Sequence, residues 1–149
     1  MSEAMNLTQH IGQAENALRA VLDRLLAETG ITFGQWVTLT MLARGGSGSP
    51  IEQEALVRQV SGALKCDAPT VLAALDALTA RGLVTMAPER PGCLTLTTDG
   101  AAQFQRLRQR INGVTDLLYG DLPLDDLATT QRVLGIVAER ANLELGRQS

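Results

Sequence analysis

A mainly α-helical fold, about six helices with one two-stranded β-hairpin, follows from three observations. The chain is 45% hydrophobic but only 3% aromatic, so leucine, alanine and valine must fill its core, and those residues fill helical cores well. Apolar residues recur at three- and four-residue spacing along most of the chain. Strand-favouring residues cluster only around Val84 and Leu94. At 149 residues the chain is read as one domain, 1–149, with a core of its own.

The residues before Asn6 read as a frayed start. From Leu7, the positions Ile11, Ala14, Leu18, Val21, Leu22 and Leu25 continue one apolar stripe over about five turns. A terminal helix of that length needs a partner for its stripe, either another terminal helix or another subunit. Gly30 ends it, and Thr32-x-x-Gln35 forms a capping box that starts a second helix at Phe33. Trp36, Leu39, Leu42 and Ala43 form the inner stripe of that helix. The run Gly45 to Pro50 is a solvated, flexible loop. A third helix, about Ile51 to Leu64, carries Ile51, Ala55, Leu56, Val60 and Leu64 on one side, with Ser61-Gly62 weakening its last turns.

The central stretch runs from Asp67 to Thr97. Asp67 is an N-cap, Pro69 sits in the first turn where its missing N–H costs nothing, and Arg81-Gly82 closes the helix with a cation and a C′ glycine. Val71, Leu75 and Leu78 form the core face, widened by Leu72. Leu83 to Met86 is extended, Pro88 to Gly92 is a turn cluster, and Cys93 to Thr97 alternates with period two, which together predict a hairpin. A capped helix, a hairpin and then Thr97 or Thr98 opening a further helix is the layout of a winged helix-turn-helix. That further helix runs through Phe104, Leu107, Ile111, Val114 and Leu118 to Tyr119, and Pro123 opens the last one, with Asp125 and Asp126 at its positive end and Leu134, Val137 and Leu145 along its stripe.

Charge and composition exclude several functions. The net charge of −3 is unlike a general nucleic-acid coat. Between Ile31 and Thr98, Arg44, Arg58, Lys65, Arg81 and Arg90 are matched by Glu52, Glu54, Asp67, Asp76 and Glu89, so even this segment is neutral. No apolar run approaches the length of a membrane span, and acidic Glu3 stands where a signal peptide wants a basic start, so a soluble, cytoplasmic protein is expected. Two cysteines make no disulfide framework, and one histidine without clustered cysteines makes no metal site. No nucleophile pattern or phosphate loop supports catalysis, and no cofactor is expected.

The chain resembles the MarR family of transcriptional regulators. The resemblance rests on Ile31-Thr32 with Gln35, Leu39 and Leu42, on Leu75, Leu78 and Arg81-Gly82-Leu83-Val84, and on Leu94-Thr95-Leu96-Thr97 with Gly100. These cover roughly the middle half of the chain. The resemblance implies a homodimer held by the helices at 7–29 and 98–146, with 31–97 as the DNA-binding lobe, acting on double-stranded DNA at a pseudo-palindromic operator. It implies a repressor released by a small aromatic or phenolic ligand. The segment between Leu42 and the recognition helix is longer than the family usually has, and either the Gly/Ser loop or the end of the third helix holds the surplus.

Candidate site residues follow. In a helix-turn-helix the second helix enters the major groove, which here presents Pro69, Thr70, Ala73 and Ala74 to the bases. The family often carries arginine at the positions of Ala73 and Ala77, where this chain has alanine. Arg90 at the hairpin tip suits a minor groove, although Glu89-Arg90 matches only part of the family's Asp-Arg-Arg run. Lys65 and Arg81 are candidate phosphate clamps. Cys66, beside Lys65 and a helix cap, is a candidate redox sensor, as is Cys93 in the wing, with a small buried cysteine as the alternative; the family's peroxide sensors keep their cysteine in the first helix, where this chain has none. His10, Phe33, Trp36 and Met41 are candidate ligand contacts, with core or surface packing as the alternative for each. The competing reading is a winged dimer with weak or lost DNA binding, acting as a small-molecule or protein interaction module.

Overall fold

The computed structural model describes residues 3–44 and 49–147. In chain order these form α1 (Glu3–Ala27), α2 (Phe33–Arg44), β1 (Ile51–Glu52), α3 (Gln53–Leu64), α4 (Ala68–Ala80), β2 (Val84–Met86), β3 (Cys93–Leu96), α5 (Thr98–Tyr119) and α6 (Leu124–Gly146). The expected Gly/Ser loop falls largely on 45–48, outside the described residues.

Two expectations about element bounds are corrected, and a third, the place of Leu72, below. First, α1 starts at Glu3, ahead of the fraying expected before Asn6. Second, Ile51 and Glu52 are a strand, so the wing belongs to a three-stranded antiparallel sheet in the order β1-β3-β2. Ile51 pairs with Leu94 and Glu52 with Cys93, while Val84, Thr85 and Met86 pair with Leu96, Thr95 and Leu94. β3 offers an unfilled edge of donors and acceptors that a two-residue extension satisfies. α3 therefore begins at Gln53, whose N–H donates to Gly92 O at 3.0 Å.

Helix ends form as local chemistry dictates. Thr32 Oγ1 accepts from the Gln35 N–H and Gln35 Oε1 accepts from the Thr32 N–H, both at 3.2 Å, which completes the capping box. Gly30 takes φ +72°, and Ile31 N–H donates back to Leu26 O at 3.3 Å. Gly82 takes φ +74°, and Leu83 N–H reaches Leu78 O at 3.0 Å. Thr97, and not Thr98, caps α5: its hydroxyl accepts from Gly100 N–H at 2.9 Å and donates to Gly82 O at 2.6 Å.

Contacts divide the chain into two compact units, 1–111 and 112–149. The first holds the core: Leu26, Ile31, Trp36, Leu39, Leu42, Leu56, Val60, Val71, Leu75, Leu78, Leu83, Val84, Leu94 and Leu107 are buried together. α2 packs on α3 and α4, and these in turn on each other. Leu72 does not widen the core face of α4; one step further round the helix than Val71, it is 38% exposed. The N-terminal half of the α1 stripe is uncovered, with Leu7 and Leu18 exposed, whereas Val21, Leu22 and Leu25 are half-buried, Leu22 against the core, and Leu26 beside them is buried. The second unit contains the last turns of α5 and all of α6, a helix with no buried residue. Leu117, Leu124, Leu134, Val137, Leu143 and Leu145 are exposed there. No helix among the described residues is long and apolar enough to cross a membrane.

Candidate nucleic-acid interface

The junction of α3 and α4 is built by two opposed turns. Lys65 ends α3 at φ 54°, and the N–H groups of Lys65 and Cys66 both donate to Ser61 O. A lysine in this left-handed region costs roughly 1 kcal/mol more than a glycine would. Asp67 then reverses the chain in extended geometry, and its carboxylate accepts from the Thr70 N–H at 3.0 Å and from the Thr70 hydroxyl. These two donors hold the Asp67 carboxyl below its usual range, the hydroxyl first.

The outer face of α4 is set by its period. Val71, Leu75 and Leu78 point inward, so Pro69, Thr70, Ala73 and Asp76 are exposed and Ala74 is half-buried. The face is small, apolar and, at Asp76, acidic. Because the Thr70 proton is taken by Asp67, its hydroxyl faces outward as an acceptor with a methyl beside it. In the wing, Ala87 N–H donates to Cys93 O at 2.8 Å and Cys93 N–H to Arg90 O at 3.1 Å, closing a tip with Arg90 exposed on it. Lys65 is exposed at the start of the turn, and Arg58 on α3, not among the DNA-contact candidates above, is a further exposed cation.

Arg81 is placed differently from the other cations. Its guanidinium donates to Thr29 O at 2.9 Å and Gly30 O at 3.2 Å, which ties the end of α4 to the corner after α1. Nothing local in the sequence marks this, since the partners lie 51 and 52 residues away.

The residues considered for a ligand are not brought together at one cleft. His10 is exposed and its ring nitrogen lies 2.7 Å from Asn6 O in its own helix. Trp36 is buried and stacked on Phe104, ring centres 5.2 Å apart. Phe33 lies under the Arg19 guanidinium at 3.4 Å, and Arg19 is flanked by Glu15 and Asp23. The i, i+4 charges around Arg19 are visible in sequence; its aromatic partner is not. Met41 is half-buried, its sulfur 3.8 Å from Arg44. A cleft of about 520 Å³ opens elsewhere, between the end of α2 (Leu42, Ala43), β3 (Thr95, Leu96) and the first turns of α5 (Thr98, Ala101, Ala102, Phe104, Gln105). Its lining is apolar with hydroxyl and amide groups and carries no charge. Cys66 and Cys93 are free and half-buried, and Cys66 packs against the core. No cluster of three or more metal-ligating side chains occurs among the described residues.

A three-helix core that presents one helix outward, followed by a hairpin whose strands pair back onto the sheet, is a winged helix-turn-helix. Among solved structures this is the fold of the MarR-family transcriptional regulators. The chain is similar to a MarR-family regulator from Rhodococcus sp. RHA1, with 16% identity, 93% of this chain and 96% of that one covered, and a TM-score of 0.71. It is similar to a mutant MarR from E. coli complexed with operator DNA, with 23% identity, 91% and 95% covered and a TM-score of 0.69. It is also similar to CouR from Rhodococcus jostii RHA1 bound to p-coumaroyl-CoA, with 16% identity, 93% and 95% covered and a TM-score of 0.75. No protein-family model matches the sequence, and no curated protein matches it at a significant level.

Proposed function

We propose that this chain is a homodimeric, sequence-specific DNA-binding transcriptional regulator of the cytoplasm, a repressor released by a small aromatic or phenolic ligand. The observation that carries the reading is the uncovered outer face of α4, presented in the same compact unit as the exposed Arg90 tip. α4 enters the major groove, where the Thr70 hydroxyl accepts from a base amino group and the methyls of Thr70, Ala73 and Ala74 meet thymine. Arg90 enters the flanking minor groove and Lys65 meets phosphate. A strained lysine where glycine would be easier supports that role for Lys65. Arg81, engaged at the α1 corner, has no phosphate role in this reading.

Dimerisation is supported by the apolar stripes left uncovered on α1, on the end of α5 and on α6. Two copies of α4 then stand about 34 Å apart, one turn of the duplex. The uncharged cleft between α2, β3 and α5 suits a neutral aromatic ring bearing a hydroxyl, and a ligand there biases the lobe away from its DNA-bound position. The operator complex and the p-coumaroyl-CoA complex of the similar structures agree with both halves of this reading.

A second reading has one observation in its favour: α4 carries no arginine, exposes Asp76, and belongs to a segment whose charges cancel. A winged dimer of that kind could serve as an interaction module with little DNA binding. Selection from a random duplex pool at low and moderate salt separates the two. Enrichment of a pseudo-palindrome supports the regulator, with a shallow salt slope because few phosphates are neutralised. Absence of enrichment at both salts moves the function to the second reading.

A further inference from the structure

The corner after α1 is gripped from two directions. Glu28 forms an ion pair with Arg110 of α5, and the next two carbonyls, Thr29 O and Gly30 O, accept from the Arg81 guanidinium at the end of α4. α1 otherwise packs chiefly on α2. The Arg81 side chain is thus a direct link between the long N-terminal helix and the helix that reads DNA in the function proposed above.

The chemistry of the link is specific. Two N–H groups in a rigid planar fork meet two successive carbonyls, a fixed geometry that the rotatable point charge of a lysine on its flexible stem does not reproduce. The acceptors lie at the C-terminal end of α1, where the helix dipole favours a cation, and the hydrogen-bond partners of the guanidinium are these carbonyls and not a carboxylate. Gly30 suits the corner through its left-handed φ of +72°, which turns its carbonyl toward the fork. The next residue, Gly82, is also left-handed, and its N–H and that of Leu83 lock the last turn of α4 onto Thr79 O and Leu78 O. The end of α4 is therefore fixed to the corner by a rigid chain of bonds.

We infer that Arg81 is a positioning residue: it pins the end of α4 to the α1 corner and so sets the separation of the two reading helices in the dimer. The inference rests on the DNA-binding reading. Adding one base pair between half-sites displaces the second by about 3.4 Å and rotates it, so a pinned pair of helices selects one spacing. An unpinned pair tolerates several.

The test uses the full-length protein, the selected duplex, and versions of it with half-site spacing changed by one base pair. Wild type should prefer its own spacing by at least about tenfold. Both Arg81→Lys and Arg81→Gln should shrink that preference to about threefold or less, with the slope of log K against log salt unchanged. Full retention by Arg81→Lys together with a slope reduced by about one in Arg81→Gln would make Arg81 a phosphate contact and overturn the inference. Equal weakening on every spacing, with the preference kept, would reduce Arg81 to general stability and overturn it as well. A wild-type protein that binds every spacing equally overturns the inference alone, as do unchanged variants of a discriminating wild type, whereas a wild type that binds none of the duplexes overturns the DNA-binding reading with it. A second arm needs no DNA. In free Arg81→Lys the amide hydrogens of Gly82 and Leu83 should exchange at least about fivefold faster, and unchanged exchange would refute the link itself.

Discussion

Replacing Gly100 by alanine should destabilise the protein although it places a better helix former in a helix. A Cβ at Gly100 would lie 1.9 Å from Leu83 O and 2.9 Å from Leu83 C, roughly 1.5 Å inside an ordinary carbon–oxygen contact. The carbonyl cannot retreat freely, because it accepts from the Thr97 N–H at 3.0 Å and the Leu83 N–H is held by Leu78 O. Relief requires α5 to shift, which breaks the Thr97 bond and leaves a buried carbonyl short of its donor. That loss costs about 1–3 kcal/mol and the forced repacking about 1–3 kcal/mol, against about 1 kcal/mol gained in helix propensity. The net is a loss of about 1–5 kcal/mol, or about 2–20 °C in Tm for a chain of this size. Gly62 in α3 is the control: a Cβ there meets nothing within 4 Å, so Gly62→Ala should gain about 0.5–1 kcal/mol. Urea unfolding at one protein concentration, followed by the emission of the single tryptophan, Trp36, measures both, since its ring is buried against Phe104. If Gly100→Ala is as stable as the parent, the approach of α5 to the root of the wing is not as close as argued.

Four further outcomes are expected. Lys65→Gly should raise stability by about 1 kcal/mol by relieving the left-handed lysine, while reducing the salt dependence of operator binding by about one unit of slope; a fall in Tm would contradict the first part. Asp67→Asn should keep the α4 cap, measured as unchanged circular dichroism, and tighten operator binding by removing a negative charge near phosphate. It should also flatten the acid limb of stability: with its folded pKa lowered, Asp67 contributes stability fully above the ordinary aspartate range, and that contribution disappears as pH falls through the lowered value. Arg90→Ala should weaken operator binding at least about tenfold in a gel-shift assay with unchanged Tm, and unchanged affinity would remove the wing from the mechanism. Leu117→Glu, at a side chain 84% exposed in the single chain, should leave helix content intact but shift sedimentation from dimer toward monomer at micromolar concentration.

The parts of the fold that could be read in advance are those whose causes are local. Asp67, the Thr32–Gln35 pair, Gly30 and Gly82 act within a few residues of themselves, and their helices start and stop where their hydrogen bonds require. β1 escaped because a two-residue strand has no period, and its reason for existing is the open edge of β3, far along the chain at Cys93 and Leu94. Leu72 looked like core because it adjoins Val71, yet one residue is 100° of helix turn and the lobe is not wide enough to cover it. In the candidate interface, the exposure of Pro69, Thr70, Ala73 and Arg90 followed from period and turn chemistry. The Arg81 and Phe33 contacts did not, because each depends on a partner that only the tertiary fold supplies.

The bond from Gln53 to Gly92 and the pairing of β1 with β3 mean that the start of α3 and the hairpin are one solid piece. In the function proposed above, the wing arginine therefore moves with α3, and α4, which packs on both α3 and β2, moves with them. A switch acting on such a piece has to swing it bodily, and a small tilt at its root then spoils the fit in both grooves at once.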